Sequence, residues 1–338
     1  MFTKVWRVDP LRPESLALEE AGELLRRGEL VAFPTETVYG LGAAATQDEA
    51  LRRVFAVKGR PARKPLTLHL ADPEEVFRYV KEVPSTARRL ISSFWPGPLT
   101  LILPAASGLP PSLTAGGETV GIRVPDHAVA QELIRMAGLP LAAPSANLSG
   151  RPAPTKAAHV LAELGGKIAG VLDGGPTPLG IESTVVEVRG EELVVRRVGA
   201  LLPEEIEERT GIKPLVAPAE GEGRWWLKAP LVLVEGEVPE QVVARVLAEA
   251  SRQDRVGRRV GVLTREERVG LYQPFTALAC GRVEDGPRSV AAAFYAALRD
   301  IEERVEIIVA EAVVAEVGKV VLLRLREMAA ERYEAGRS

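Results

Sequence analysis

Residues 90–117 run for 28 positions without a charged side chain, a length that would cross a bilayer if it were one helix. Pro96, Pro98, Pro104, Pro110 and Pro111 fall inside it, with Gly97, Gly108, Gly116 and Gly117. Each interior proline removes a helical hydrogen bond and clashes with the preceding turn, so a single spanning helix is excluded. The segment instead predicts a turn at WPGP (95–98), a buried strand at 99–103 and a loop, inside a soluble globular chain.

At 338 residues the chain is long enough for two domains. Its 43 Lys+Arg against 46 Asp+Glu give a net charge of −3, which excludes a protein held on nucleic acid by bulk positive charge. An apolar fraction of 46% excludes disorder as the main state. The lone Cys280 allows no internal disulfide and no cysteine-rich zinc site, and a reducing, cytoplasmic setting is expected. The start MFTKVWRVDP has no apolar core of an export signal. One asparagine, Asn147, stands in the whole sequence; it is a site residue or a chance survivor, and composition leaves both open.

Along the chain, the pattern predicts a helix at 14–28 and a strand at 30–33 stopped by Pro34. A capping box at 46–49 opens a second helix, and a strand at 65–71 puts Thr67 and His69 on one face against Leu66, Leu68 and Leu70 on the other. Asp72-Pro-Glu-Glu opens a helix. Strands at 119–124 and 139–143, helices at 126–137 and 155–164, a hairpin at 181–198 turning at Arg189-Gly190 and a helix at 203–210 complete a domain over 1–212. Residues 213–228 lack periodicity and read as a linker. From 229 to 338 strands at 231–234, 259–263, 276–280 and 306–311 alternate with helices at 239–250, 288–303 and 315–330, which predicts a small parallel α/β domain.

Residues 50–71 contain no acid but carry Arg52, Arg53, Lys58, Arg60, Arg63 and Lys64. They are either a solvated helix end or a polyphosphate site. A P-loop is absent, and GLGAAA (40–45) lacks the strand and ribose acid of a dinucleotide fingerprint. Polar clusters interrupt apolar strand ends at 34–40 and 143–149, where ligand recognition and plain turn chemistry both fit. Arg123 inside an apolar strand needs an anionic partner, either a ligand carboxylate or an acid such as Glu182. His127 and His159 fall on predicted helices and are expected at the surface. No metal-ligand spacing is present.

These pieces resemble the YrdC-type threonylcarbamoyl-AMP synthases, in their long two-domain form. The matching stretches are PTETVYGLG (34–42), KGRP (58–61), PLTLH (65–69), WPGPLT (95–100), VGIRVP (120–125), APSAN (143–147) and IESTVV (181–186), in family order over residues 1–200. The C-terminal match rests on the α/β pattern and GKVVLLRLR (318–326). The resemblance implies a YrdC-like twisted open α/β sheet domain followed by a smaller Rossmann-like parallel α/β domain. It implies nucleotidyl transfer that makes threonylcarbamoyl-AMP and pyrophosphate from L-threonine, bicarbonate and ATP, with Mg²⁺ accompanying ATP. The product would pass to threonylcarbamoyl-transfer proteins acting on tRNA, with weak or no direct nucleic-acid binding by this chain.

On the matching motifs, the catalytic set is Lys58, Arg60, Ser145 and Asn147. The threonine contacts are Thr37, His69, Arg123, Ala143 and Ser183, and the ATP contacts Arg60, Lys64, Thr119, Ser145, Ala153 and Arg197. The linker departs from the family's tyrosine-bearing stretch; Trp225 or Trp226 stands as the stacking candidate, against simple packing. Two other readings are an RNA-binding module without turnover, which would show salt-dependent tRNA binding, and a hydrogenase-maturation carbamoyltransferase, which Cys280 alone cannot furnish with zinc modules.

Overall fold

The computed structural model describes residues 2–217 and 225–336; positions 218–224 of the expected linker lie outside the described residues. The chain forms two compact units, Met1–Ser149 with Ala153–Glu222, and Gly150–Pro152 with Gly223–Ser338. The division departs from a simple cut near 212, because the tripeptide 150–152 belongs with the second unit. There Arg151 pairs with the buried carboxylate of Glu302, one bond at 2.9 Å, and Arg299 donates to the Pro152 carbonyl.

In the first unit the described residues form one mixed sheet of eleven strands. Its order is Lys4–Arg7, Gly170–Asp173, Val31–Phe33, Gly40–Ala44, Leu141–Ala142, Thr67–His69, Thr119–Arg123, Leu99–Pro104, Thr184–Arg189, Glu192–Arg197 and Leu215–Val216. The uncharged run supplies the interior strand Leu99–Pro104, with Leu99, Leu101 and Leu103 fully buried. Among the described residues no helix is long and apolar enough to cross a membrane. Leu66, Leu68 and Leu70 enter the core as expected from their period, although only Thr67–His69 is strand. The hairpin turns at Gly190, φ +61°, between antiparallel strands.

Local chemistry sets the helix ends. Asp72 accepts from the Glu74 amide at 2.8 Å and completes a capping box with Glu75, but the turn it opens, Pro73–Arg78, is 3₁₀ rather than α. The box expected at 46–49 does not form: the helix Asp48–Lys58 is capped at Gln47 without a side-chain bond. Asp48 instead receives the distant Ser112 amide at 3.0 Å. Gly59, in the left-handed region at φ +60°, ends that helix and leaves Lys58 as its last residue.

The second unit carries a wholly parallel sheet, ordered Thr276–Ala279, Val260–Thr264, Ile307–Val313, Leu231–Gly236 and Glu331–Glu334. Helices Pro239–Arg255 and Gly286–Glu302 make the crossovers. The last helix, expected over 315–330, is broken at Gly318, φ +73°, into Val314–Val317 and Lys319–Met328. Glu331–Glu334 adds an edge strand that the alternation did not reveal.

Candidate functional site

His69 and Arg123 are the last residues of two neighbouring parallel strands and are register partners. Their side chains therefore leave the sheet on one face, at its carboxyl edge, where open α/β sheets bind ligands. They floor an open cleft of about 600 Å³, counted out to solvent, within the first unit. Its walls are Thr35, Thr37, Val38, Gly40, Arg60, Thr67, Thr100, Ala143, Pro144, Ser145, Glu182, Ser183 and Arg197.

Arg123 is held from three sides. Its Nε donates to the Gly97 carbonyl at 3.1 Å, its Nη1 to Thr37 Oγ1 at 2.9 Å, and its Nη2 lies 2.5 Å from Glu36 Oε2. The acid that answers this strand arginine is thus Glu36, not Glu182. Thr35 explains how it gets there: its hydroxyl donates to the Val38 carbonyl at 2.7 Å and receives the amides of Thr37 and Val38. The resulting tight turn brings residues 36 and 37 together onto the guanidinium.

His69 is buried, and burial, reinforced by the charge of Arg123, drives its imidazole down to about 3. It is neutral at physiological pH. Nδ1 lies 3.2 Å from the Thr67 carbonyl, which only accepts, so Nδ1 carries the proton and Nε2 is an acceptor. On the opposite wall, Ser183 Oγ is 2.8 Å from Thr100 Oγ1. Arg197 donates to the Ser183 carbonyl at 2.9 Å and to its hydroxyl at 3.2 Å. Arg60 donates to the carbonyls of Lys64 at 3.3 Å and Pro65 at 2.8 Å. Burial and the neighbouring Arg197 lower it to about 10, so the Arg60 guanidinium remains charged at neutral pH.

Lys58 stands behind the cleft rather than in its wall. Its ammonium donates to the carbonyls of Ser145 and Asn147, and Ser149 returns an amide to the Lys58 carbonyl at 2.8 Å. Burial, then repulsion from Arg60, pulls it down to about 7, with Glu163 opposing.

A family model described as telomere recombination, covering the Sua5, YciO and YrdC proteins, matches residues 23–199. A second, described as the threonylcarbamoyl-AMP synthase C-terminal domain, matches residues 207–330. The chain belongs to the Sua5, YciO and YrdC family. The threonylcarbamoyl-AMP synthase of Bacillus subtilis is 44% identical over 328 residues, 92% of this chain and 93% of the relative. The structure of Pyrococcus abyssi Sua5 complexed with L-threonine superposes with a TM-score of 0.91 at 36% identity, covering 98% of this chain and all of that one. Escherichia coli YciO matches with a TM-score of 0.55 at 26% identity, over 59% of this chain and 96% of its own.

Of the residues expected from the family's motifs, Thr37, Arg60, His69, Arg123, Ala143, Ser145, Ser183 and Arg197 line the cleft. Lys58 and Asn147 adjoin Ser145 from behind. Lys64, Thr119, Ala153 and Trp226 are not in the walls. Lys64 contributes its carbonyl to Arg60, Thr119 is exposed at a strand start and Ala153 is buried in the core. Trp226 lies in the second unit, under the Arg151 guanidinium at 4.9 Å, while Trp225 leans on Tyr295 at 6.2 Å.

The acid-free stretch is not one cationic patch. Arg52 pairs with Asp48 at 2.8 Å, and Arg53 with Glu49 and Glu29 at 3.4 Å, on the solvent side. His159 is buried, accepting the Thr155 amide at 3.2 Å, so its expected surface position is wrong. His127 is half-buried at the start of Ala128–Ala137. Thr100 in the wall and Glu36 on Arg123 are among the residues that motif reading passed over. Among the described residues no group of three His, Cys, Asp or Glu side chains stands ready to hold a metal ion.

Proposed function

We propose that this chain is an L-threonylcarbamoyladenylate synthase, joining L-threonine, bicarbonate and ATP into threonylcarbamoyl-AMP with release of pyrophosphate and water. The observation that carries the reading is the polarity of the cleft. A buried arginine, paired with Glu36 and bonded to Thr37, shares the cleft with neutral hydroxyl and imidazole groups and with the guanidinium groups of Arg60 and Arg197. In this reading the Arg123 end takes an amino-acid carboxylate and hydroxyl, and the Arg60 and Arg197 end a polyphosphate.

In this reading Arg123 takes the threonine carboxylate, and Thr37, His69 Nε2 and Ser183 surround its polar groups, with the Ala143 backbone closing the pocket. The threonine nitrogen gains the carboxyl carbon of bicarbonate, losing water and a proton, to give a carbamate. A carbamate oxygen then bonds to the α-phosphorus of ATP as the bond to pyrophosphate breaks. Arg60 and Arg197 stabilise the charge that grows on the departing phosphates, and Lys58 holds Ser145 and Asn147 in place from behind. Mg²⁺ enters as part of the nucleotide substrate. No nucleophile from the protein is needed.

Mass spectrometry of reactions lacking threonine, bicarbonate or ATP in turn tests the proposal: the adduct is expected only in the complete mixture. Lys58→Ala is expected to lower threonine-dependent pyrophosphate release by roughly 10²-fold, the scale of misplacing the reacting groups by about 1 Å. Full release by that variant would overturn the assignment of Lys58.

A further inference from the structure

Glu36 is a buried carboxylate that the reaction as written does not use. It is 5% exposed and its partner Arg123 4%. Neither of its oxygens accepts a well-aligned hydrogen bond from a described group. The nearby His127 also keeps a buried, unbonded Nδ1. Burial holds that imidazole below its ordinary value against the pull of Glu36 and Asp126, so it is uncharged at neutral pH. Among the described residues, the charge on Glu36 is therefore balanced by Arg123.

We propose that Glu36 determines specificity by cancelling the charge of Arg123, so that the floor of the cleft accepts a zwitterion and rejects simple anions. The inference rests on the reading that this cleft takes threonine. A buried guanidinium without a counter-ion attracts any anion that fits, and the reaction mixture contains bicarbonate and phosphates. A neutral pair still points donors at a carboxylate but offers no net charge. A carboxylate lacking its own ammonium then brings an uncompensated negative charge up to Glu36. Threonine brings none. Once its nitrogen is carboxylated, the ligand carries two negative charges, which Glu36 disfavours and Arg60 and Arg197 favour. The same residue thus biases the carbamate toward the nucleotide end.

The test is calorimetric binding of L-threonine and of 3-hydroxybutyrate, its deaminated analogue, to the full-length protein and to Glu36→Gln and Glu36→Asp. The wild-type protein is expected to prefer threonine strongly. Glu36→Gln should cut that preference at least about tenfold by tightening 3-hydroxybutyrate, a change of the size found for removing one like charge from a binding site. Glu36→Asp, which keeps the charge, should retain the preference. An unchanged preference in Glu36→Gln, or an equal loss in both variants, overturns the inference and leaves the threonine reading standing. A wild-type protein that binds neither ligand overturns the threonine reading and this inference with it. ATP affinity, measured alongside, reports whether each variant is folded.

Discussion

A histidine on the floor of a polar cleft invites a proton-transfer role, and the setting of His69 argues against one. Its folded value of about 3 lies far below the ordinary 6.5 because burial and Arg123 both disfavour the cation. The unfolded chain therefore holds a proton on His69 between about pH 6.5 and 3 that the folded one does not, and stability falls as pH drops through that window. The slope due to this group is at most about 1.4 kcal/mol per pH unit. His69→Gln is expected to flatten the acid limb of urea-unfolding stability measured from pH 7 to 4.5, and to raise the KM for threonine without altering the shape of the pH–rate profile. Parallel stability curves for the two proteins would refute a neutral His69. Lys58 differs in kind: burial pulls it down to about 7, so its charge is in play near neutrality, and the ammonium's grip on the Ser145 and Asn147 carbonyls is expected to weaken as pH rises through that value.

At the scale of elements, the cleft depends on one close backbone approach. A β-carbon at Gly199 would lie 2.2 Å from the Glu182 carbonyl oxygen and 2.5 Å from the Ser183 backbone. Only glycine lets the chain after Glu192–Arg197 lie against the strand entrance that carries Ser183. Gly199→Ala is expected to destabilise the protein by about 1–3 kcal/mol and to lower kcat/KM for threonine by roughly 10- to 100-fold through displacement of Ser183 and Arg197. Urea titration and steady-state kinetics read the two effects separately.

Most elements around this point were legible in the sequence, because period and punctuation are local signals: the hairpin at Gly190 and the helix Pro203–Thr210 fall where the pattern put them. Two of the losses are non-local. The capping box read at 46–49 fails because the helix starts one residue later than Thr46 would have it, at a Gln47 cap, with Asp48 turned to the distant Ser112 amide. Glu36 was passed over as the partner of Arg123 because nothing near it in the sequence shows that pairing. The available signal was an acid in a proline-led turn at a buried strand end. The helix over 315–330 needed Gly318 to be read as a break rather than as a tolerated residue.

At the scale of the whole molecule, chain order and spatial order disagree at one place. Arg151 sits in the N-terminal half of the sequence yet belongs to the second unit, paired with Glu302 where both side chains are almost fully buried. Removing one partner strands the other charge, so Glu302→Ala is expected to cost about 3–5 kcal/mol, whereas replacing both by apolar residues of similar volume should cost far less. Chemical unfolding of the single and double variants measures the difference, and equal losses would show that the pair is not an isolated charge couple. With a net charge of −3 and its exposed arginines Arg52 and Arg53 matched by acids, the protein is also expected to show no salt-steep tRNA binding in a filter assay at low ionic strength.

The placement of residues 150–152 also bears on modular engineering. A gene cut between residues 222 and 223 would part Arg151 from Glu302, so a chimera that transplants the second unit is expected to carry a stranded carboxylate unless Glu302 is replaced as well.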